Sequence, residues 1–259
     1  GGEARDVTIM FTDLRNFSAL AETVTPQNLT HRVSAYLEAV SKEVARHRGT
    51  VDKYIGDSIM ALWNAPKADS NHVEHACLAA LHGMHAFQFS NQQWAEKGWA
   101  PLGMRVGLHT DNVIVGIIGS TEHHSYTALG DGVNIASRLE GINKIYGTGI
   151  CASHAIHCSE SERFLFRPLD YVAVKGRKGP MLIYELMARL ANDHPELAAT
   201  ENQKLQAAMT FAAFNAWSAA DFITALALYQ KVLEAFPGDG VALLYIARCQ
   251  EALNKPPLT

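Results

Sequence analysis

A chain of 259 residues, 48% of them hydrophobic, can bury a sizeable core and exceeds the usual one-domain length, so one large domain with an appendage is expected. A net charge of −4 excludes the basic footprint of a nucleic-acid binder, and no polybasic run addresses an anionic membrane. Four cysteines without a CxxC pair exclude a disulfide framework or a structural zinc, and no apolar stretch approaches the ~20 residues that span a bilayer, so a reduced cytoplasmic setting is expected.

The first predicted element is the apolar strand Val7-Thr8-Ile9-Met10-Phe11, which ends at Thr12-Asp13 and turns into a helix at Leu14-Arg15-Asn16-Phe17-Ser18. It starts almost at the first residue, as in a piece of a longer protein with an upstream sensor. A helix N-terminus repels cations and attracts phosphate oxygens. Asp13 would therefore hold a metal while the amides near Asn16, Phe17 and Ser18 face phosphates. Alone, the pattern is more often a plain N-cap, so a partner carboxylate is required.

Residues 17 to 48 carry apolar positions at helical spacing, split by Thr25-Pro26 into a short and a long helix. The partner carboxylate follows in Thr50 to Trp63, two strands joined by Gly56-Asp57, which puts Asp57 at the tip of a β-ribbon, free to point at Asp13. Two such carboxylates suit hard divalent cations that also bind phosphate. Residues 71 to 90 form a helix with four histidines, His72, His75, His82 and His85. The two pairs lie about 15 Å apart along the axis, too far to share an ion, and read as a polar outer face.

Residues 102 to 119 look like a hairpin with Asp111-Asn112 at its turn, and His109 reads as structural. His123 and His124 fall in a polar loop. Residues 131 to 146 form a helix, and strand-like runs at 149–152, 169–174 and 181–187 complete an α/β (α+β) pattern without regular βαβ crossovers. A ferredoxin-like βαββαβ core with extra strands fits best. The domain is expected over residues 1–190, followed by a small all-helical extension over 191–259. In that extension Phe222, Ala225, Tyr229 and Pro237 match tetratricopeptide positions, with Asp239 capping a last helix. One repeat needs a neighbour, so it should dock on the larger domain of its own chain, on a second copy, or on a segment elsewhere.

Four segments, Phe11-Thr12-Asp13-Leu14-Arg15-Asn16-Phe17, Lys53-Tyr54-Ile55-Gly56-Asp57, Leu129 to Glu140 and Val174-Lys175-Gly176-Arg177-Lys178-Gly179, resemble the class III nucleotidyl cyclase catalytic domain over about residues 6 to 188. The resemblance implies conversion of ATP to 3′,5′-cyclic AMP and pyrophosphate with two divalent cations, Mg²⁺ or Mn²⁺. It gives Asp13, Asp57 and the Leu14 carbonyl to the metals, Asn134 to the ribose, Arg138 to the charge developing on the α-phosphate and Lys175 to the terminal phosphates. Base choice falls to Lys53 and Thr127. An ammonium donor and a hydroxyl able to accept match adenine, whereas guanine presents the opposite polarity. The Lys-with-Thr combination resembles the subgroup stimulated by bicarbonate, as in soluble adenylyl cyclases. Asp111 and Asn112 depart from the family, where Gly and sometimes a phosphate-binding Arg are common.

Lys53 and Asp57 lie four apart around a tight ribbon and can hardly face one nucleotide. The resemblance implies a head-to-tail homodimer with shared sites, for which this chain holds both halves. The competing readings are a guanylyl cyclase, weakened by Lys53, and a silent cyclase-like sensing or dimerisation module, weakened by the presence of Asp13, Asp57, Asn134 and Arg138. A protein-interaction module led by the helical tail is the third.

Overall fold

The computed structural model describes residues 1–255. Its centre is β1 (Glu3–Arg15), whose side chains alternate between two apolar clusters. Met10 and Leu14 join Tyr36, Val40, Ile59 and Trp63 on one face, while Val7, Ile9 and Phe11 join Met60, Leu62, Val113, Val115 and Ala136 on the other. A strand period of two makes this division and puts Asp13 on the face of Val7, Ile9 and Phe11.

The chain continues as α1 (Phe17–Thr23), α2 (Pro26–Arg46), β2 (Thr50–Ile55), β3 (Ser58–Trp63), α3 (His72–Glu96) and β4 (Gly103–Gly119). After these come β5 (His124–Leu129), α4 (Asp131–Tyr146), β6 (Ile150–Ser153), α5 (His154–Glu160), β7 (Phe164–Val172) and β8 (Met181–Arg189). A 3-10 turn at Pro195–Leu197 leads to α6 (Glu201–Ser218), α7 (Phe222–Ala235) and α8 (Gly240–Asn254). The eight-stranded sheet runs β2-β3-β1-β4-β6-β8-β7, with β5 paired to β4. Its first four strands, joined through α1, α2 and α3, form the expected βαββαβ unit. The two unforeseen elements, β5 and α5, are short.

Local chemistry explains the helix boundaries. The Thr25 hydroxyl accepts from the Asn28 N–H and Pro26 opens α2, while α4 stops where Gly147 takes a left-handed φ of 66°. Helices α2 and α3 cover one face of the sheet. On the other face Ile135, Leu139, Ile142 and Tyr146 of α4 share a cluster with Leu169, Ile183, Phe214, Tyr229, Val232 and Tyr245, so α6 to α8 pack onto the sheet domain of their own chain. A buried ion pair crosses the same seam, Arg167 to Asp239 at 2.7 Å, and within the sheet Glu185 lies 3.2 Å from the same guanidinium. No helix among the described residues is long and apolar enough to cross a membrane.

Three local expectations fail. Residues 103–119 form one strand rather than a hairpin, with Asp111 opposite Val7 and Asn112 opposite Asp6. The Asp111 carboxylate is engaged by His109 of the same strand and by Arg177 of a remote loop, both at 3.1 Å, so a pair with turn chemistry is held in an extended strand. The first strand does not stop at Asp13 but runs to Arg15, and the turn falls at Asn16, which is left-handed with φ 57°. His82 is not on a polar outer face: it is buried, 2.8 Å from His47 and 2.6 Å from Glu196, partners that the helix sequence does not contain.

Candidate active site

Extending β1 past Asp13 puts this residue directly opposite Arg105 of β4. On the same face α4 lies unusually close to the sheet. A Cβ on Gly107 would fall 2.3 Å from the Ala136 carbonyl oxygen and 2.4 Å from the Glu140 nitrogen, so glycine is needed there for contact with the helix. That contact carries Glu140 to Asp13.

The second carboxylate arrives from the β2–β3 turn, where Gly56 adopts φ 62°. Asp57 Oδ2 accepts a hydrogen bond from the Leu14 N–H at 3.1 Å, which fixes the turn against the end of β1. Asp13, Leu14, Asn16, Phe17, Ser18 and Asp57 line one cavity of about 650 Å³, together with Arg105 and Lys144. The two strand-end carboxylates therefore meet, as the sequence predicted.

Electrostatically the cluster is under tension. Burial pushes the Asp13 carboxyl above the ordinary range and the Asp57 charge adds to this, while Glu140, Arg105 and Lys144 act in the opposite sense. Burial first, and then the neighbouring Asp13, pushes the Glu140 carboxyl well above the ordinary carboxylate range. Asp13 Oδ1 and Glu140 Oε2 are buried with no hydrogen-bond partner. Asp13, with a buried unpartnered oxygen and a second carboxylate, Asp57, beside it at the wall of a polar cavity, is the kind of ligand a hard divalent cation takes.

The other predicted residues gather in two further groups. Lys53 and Thr127 meet through Asp52, whose Oδ2 accepts from the Thr127 hydroxyl at 2.5 Å and lies 3.9 Å from the Lys53 ammonium. Asn134 and Arg138 are exposed, one turn apart on α4. Arg138 donates to the Ala173 carbonyl, at the start of the β7–β8 loop that carries exposed Lys175. None of these five residues lines the carboxylate cavity.

Sequence reasoning missed Arg105, Glu140, Lys144 and Asp52. Glu140 had a readable signal, because it adjoins Leu139 and follows Ala136 by four on the apolar arc of α4. Asp52 had none, since its partner Thr127 lies 75 residues away. Elsewhere, Glu43, His47 and His82, and likewise His82, His194 and Glu196, bring metal-ligating atoms together, but neither set adjoins the cavity.

Such a sheet, with two carboxylates at adjoining strand ends and a nucleotide-sized cavity before them, defines a catalytic domain of the nucleotide-cyclising type. Residues 2–188 match the Adenylate and Guanylate cyclase catalytic domain family, and the chain belongs to that family. Adenylate cyclase 1 of Rhizobium meliloti (strain 1021) is 41% identical over 190 residues, covering 72% of this chain and 29% of that protein. The chain spans about a third of the length of such curated relatives. The crystal structure of the guanylyl cyclase Cya2 superposes with a TM-score of 0.69 at 30% identity, covering 76% of this chain and all of that one. The adenylyl cyclase CyaB from P. aeruginosa gives 0.64 at 30% identity, covering 72% and 95%.

Proposed function

We propose that this chain is the catalytic unit of an adenylyl cyclase, converting ATP to 3′,5′-cyclic AMP and pyrophosphate at sites shared by two copies in a head-to-tail homodimer. One observation carries the reading. The cavity holding Asp13 and Asp57 takes no lining residue from the Lys53/Thr127 or Asn134/Arg138 groups, so each chain presents two separate half-sites. Pairing two chains head to tail would bring unlike halves together twice.

Asp13, Asp57 and the Leu14 carbonyl would hold two divalent cations, Mg²⁺ or Mn²⁺. Bound there, the cations supply Lewis acidity toward the ribose 3′-hydroxyl and the triphosphate oxygens. The amides of Asn16, Phe17 and Ser18 receive phosphate oxygens where α1 begins. From the partner, Asn134 holds the ribose so that its 3′-oxygen faces the α-phosphorus, and Arg138 stabilises negative charge as that P–O bond forms and the bond to pyrophosphate breaks. Lys175 engages the terminal phosphates. Lys53 and Thr127 receive the adenine edge, which favours ATP over GTP.

Cyclic AMP and cyclic GMP measured from purified protein with ATP or GTP, in Mg²⁺ or Mn²⁺, test the reading. Cyclic AMP as the main product supports it; cyclic GMP as the main product would favour the guanylyl cyclase reading, to which the likeness to Cya2 lends weight. Neither product would leave a silent module. The Lys-with-Thr pair further suggests bicarbonate stimulation, and unchanged activity at fixed pH on adding bicarbonate would refute it. The matches at Ala225 and Tyr229, both buried, support a tetratricopeptide-like extension. The short span relative to the curated relatives supports a longer parent protein. The cytoplasm, where ATP is available, is the setting we infer.

A further inference from the structure

Asp52 lies at an irregularity in the β-ribbon. Val51 pairs with Ala61 and Lys53 with Met60, so Asp52 is the extra residue of a β-bulge. Bulges re-aim a side chain at the cost of a broken ladder. Here the re-aimed side chain is a carboxylate with 1% exposure, one of whose oxygens, Oδ1, is buried without a hydrogen-bond partner. A fold that retains both a broken ladder and an orphaned buried oxygen gains something from this carboxylate in return.

The other oxygen shows what is gained. It accepts from the Thr127 hydroxyl at 2.5 Å and lies 3.9 Å from the Lys53 ammonium. A threonine hydroxyl has one proton and two lone pairs, and a carboxylate only accepts. Once the proton is committed to Asp52, Thr127 offers only lone pairs to a ligand. Lys53, an obligate donor, is drawn to the same oxygen.

We propose that Asp52 is a positioning residue that sets nucleobase selectivity: by taking the Thr127 hydroxyl proton and holding Lys53 beside it, it forces the pair to present one acceptor and one donor. The matching edge is a 6-aminopurine, with a ring-nitrogen acceptor and an exocyclic amino donor. A 6-oxopurine places an acceptor against the Thr127 lone pairs and an N–H against the ammonium. This rests on the reading of Lys53 and Thr127 as base contacts. It adds that Thr127 selects only while Asp52 holds its proton, because a free hydroxyl can turn and donate to an oxo group.

The experiment compares kcat/KM for ATP and for GTP in the wild type, Asp52→Asn, Thr127→Val and the double variant. An asparagine amide can point its NH₂ at Thr127 and release the hydroxyl proton. The ATP-to-GTP ratio should then fall about tenfold or more in Asp52→Asn, with GTP turnover rising. The ratio in Thr127→Val should not change further when Asp52→Asn is added. Because both rates come from the same sample, the ratio is insensitive to any fraction of misfolded protein. An active wild type whose selectivity survives Asp52→Asn, with both substrates falling together, would overturn this proposal alone. A wild type inactive on both nucleotides would overturn the proposed function instead, and binding of non-cyclisable ATP and GTP analogues would then read the same ratio without turnover.

Discussion

Replacing Asp239 with alanine should undo the seam between the helical extension and the catalytic domain. Its Oδ1 caps α8, accepting from the Val241 N–H at 3.0 Å and the Ala242 N–H at 3.4 Å. Its Oδ2 accepts from Arg167 at 2.7 Å and from Gln206 at 3.0 Å. Losing the cap costs about 1 kcal/mol. Breaking a buried pair costs about 3–5 kcal/mol where the remaining charge is stranded. Arg167 is not stranded, since Glu185 stays 3.2 Å away, so the pair contributes below that range, about 2 kcal/mol, and with the cap the total is about 3 kcal/mol. Asp239→Asn keeps an acceptor for the cap and should lose about half as much. Urea unfolding followed by circular dichroism measures both, and hydrogen exchange should show α8 losing protection first. The effect should reach catalysis, because α6 to α8 share the apolar cluster of α4, the helix that carries Asn134 and Arg138. Acid should mimic the substitution. Although burial pushes the Asp239 carboxyl up, the Arg167 guanidinium outweighs it and holds the group below the usual 3.8. The contribution is thus complete above about pH 4 and lost as pH falls through the lower folded-state value. A loss below about 1 kcal/mol in Asp239→Ala, with α8 protection intact, would refute this reasoning.

Three further outcomes are expected. Asp13→Ala and Arg138→Ala chains should each be inactive alone, but an equimolar mixture should recover up to about a quarter of wild-type activity, since half of randomly paired dimers hold one intact site of two; no recovery would count against shared sites. Gly107→Ala should push α4 off β4 and cost about 1–3 kcal/mol, with thermal unfolding as the measure and an unchanged melting temperature as the contrary result. Burial, with His82 beside it, lowers His47 to about 4 from the usual 6.5, so stability should be full above pH 6.5 and fall as pH drops toward about 4. His47→Gln should flatten that slope in urea titrations, and an unaltered slope would assign it to other groups.

The half of the site made by one continuous signal was legible, and the half made by remote partners was not. Asp13 could be found because an apolar run ends beside it, and Asp57 because Gly56-Asp57 has turn chemistry that the left-handed Gly56 bears out. The same rule misread Asp111-Asn112, where composition also favours a turn. There the decision lay with Arg177, 66 residues on, and with the 13-residue pairing to β1 that makes extension worth more than a turn. His82 went the same way, its burial set by His47 and Glu196 rather than by its own helix. Local propensities differ by about 1 kcal/mol or less, whereas leaving a buried charged or polar group unpaired costs more, so tertiary partners prevail where the two conflict. Three of the conflicts lie at the two half-sites: a strand that runs past its carboxylate, a bulge at Asp52, an orphaned oxygen on Asp13. Each is a local cost kept in a fold that is otherwise regular, and such residues are the ones to substitute first when asking what this protein binds.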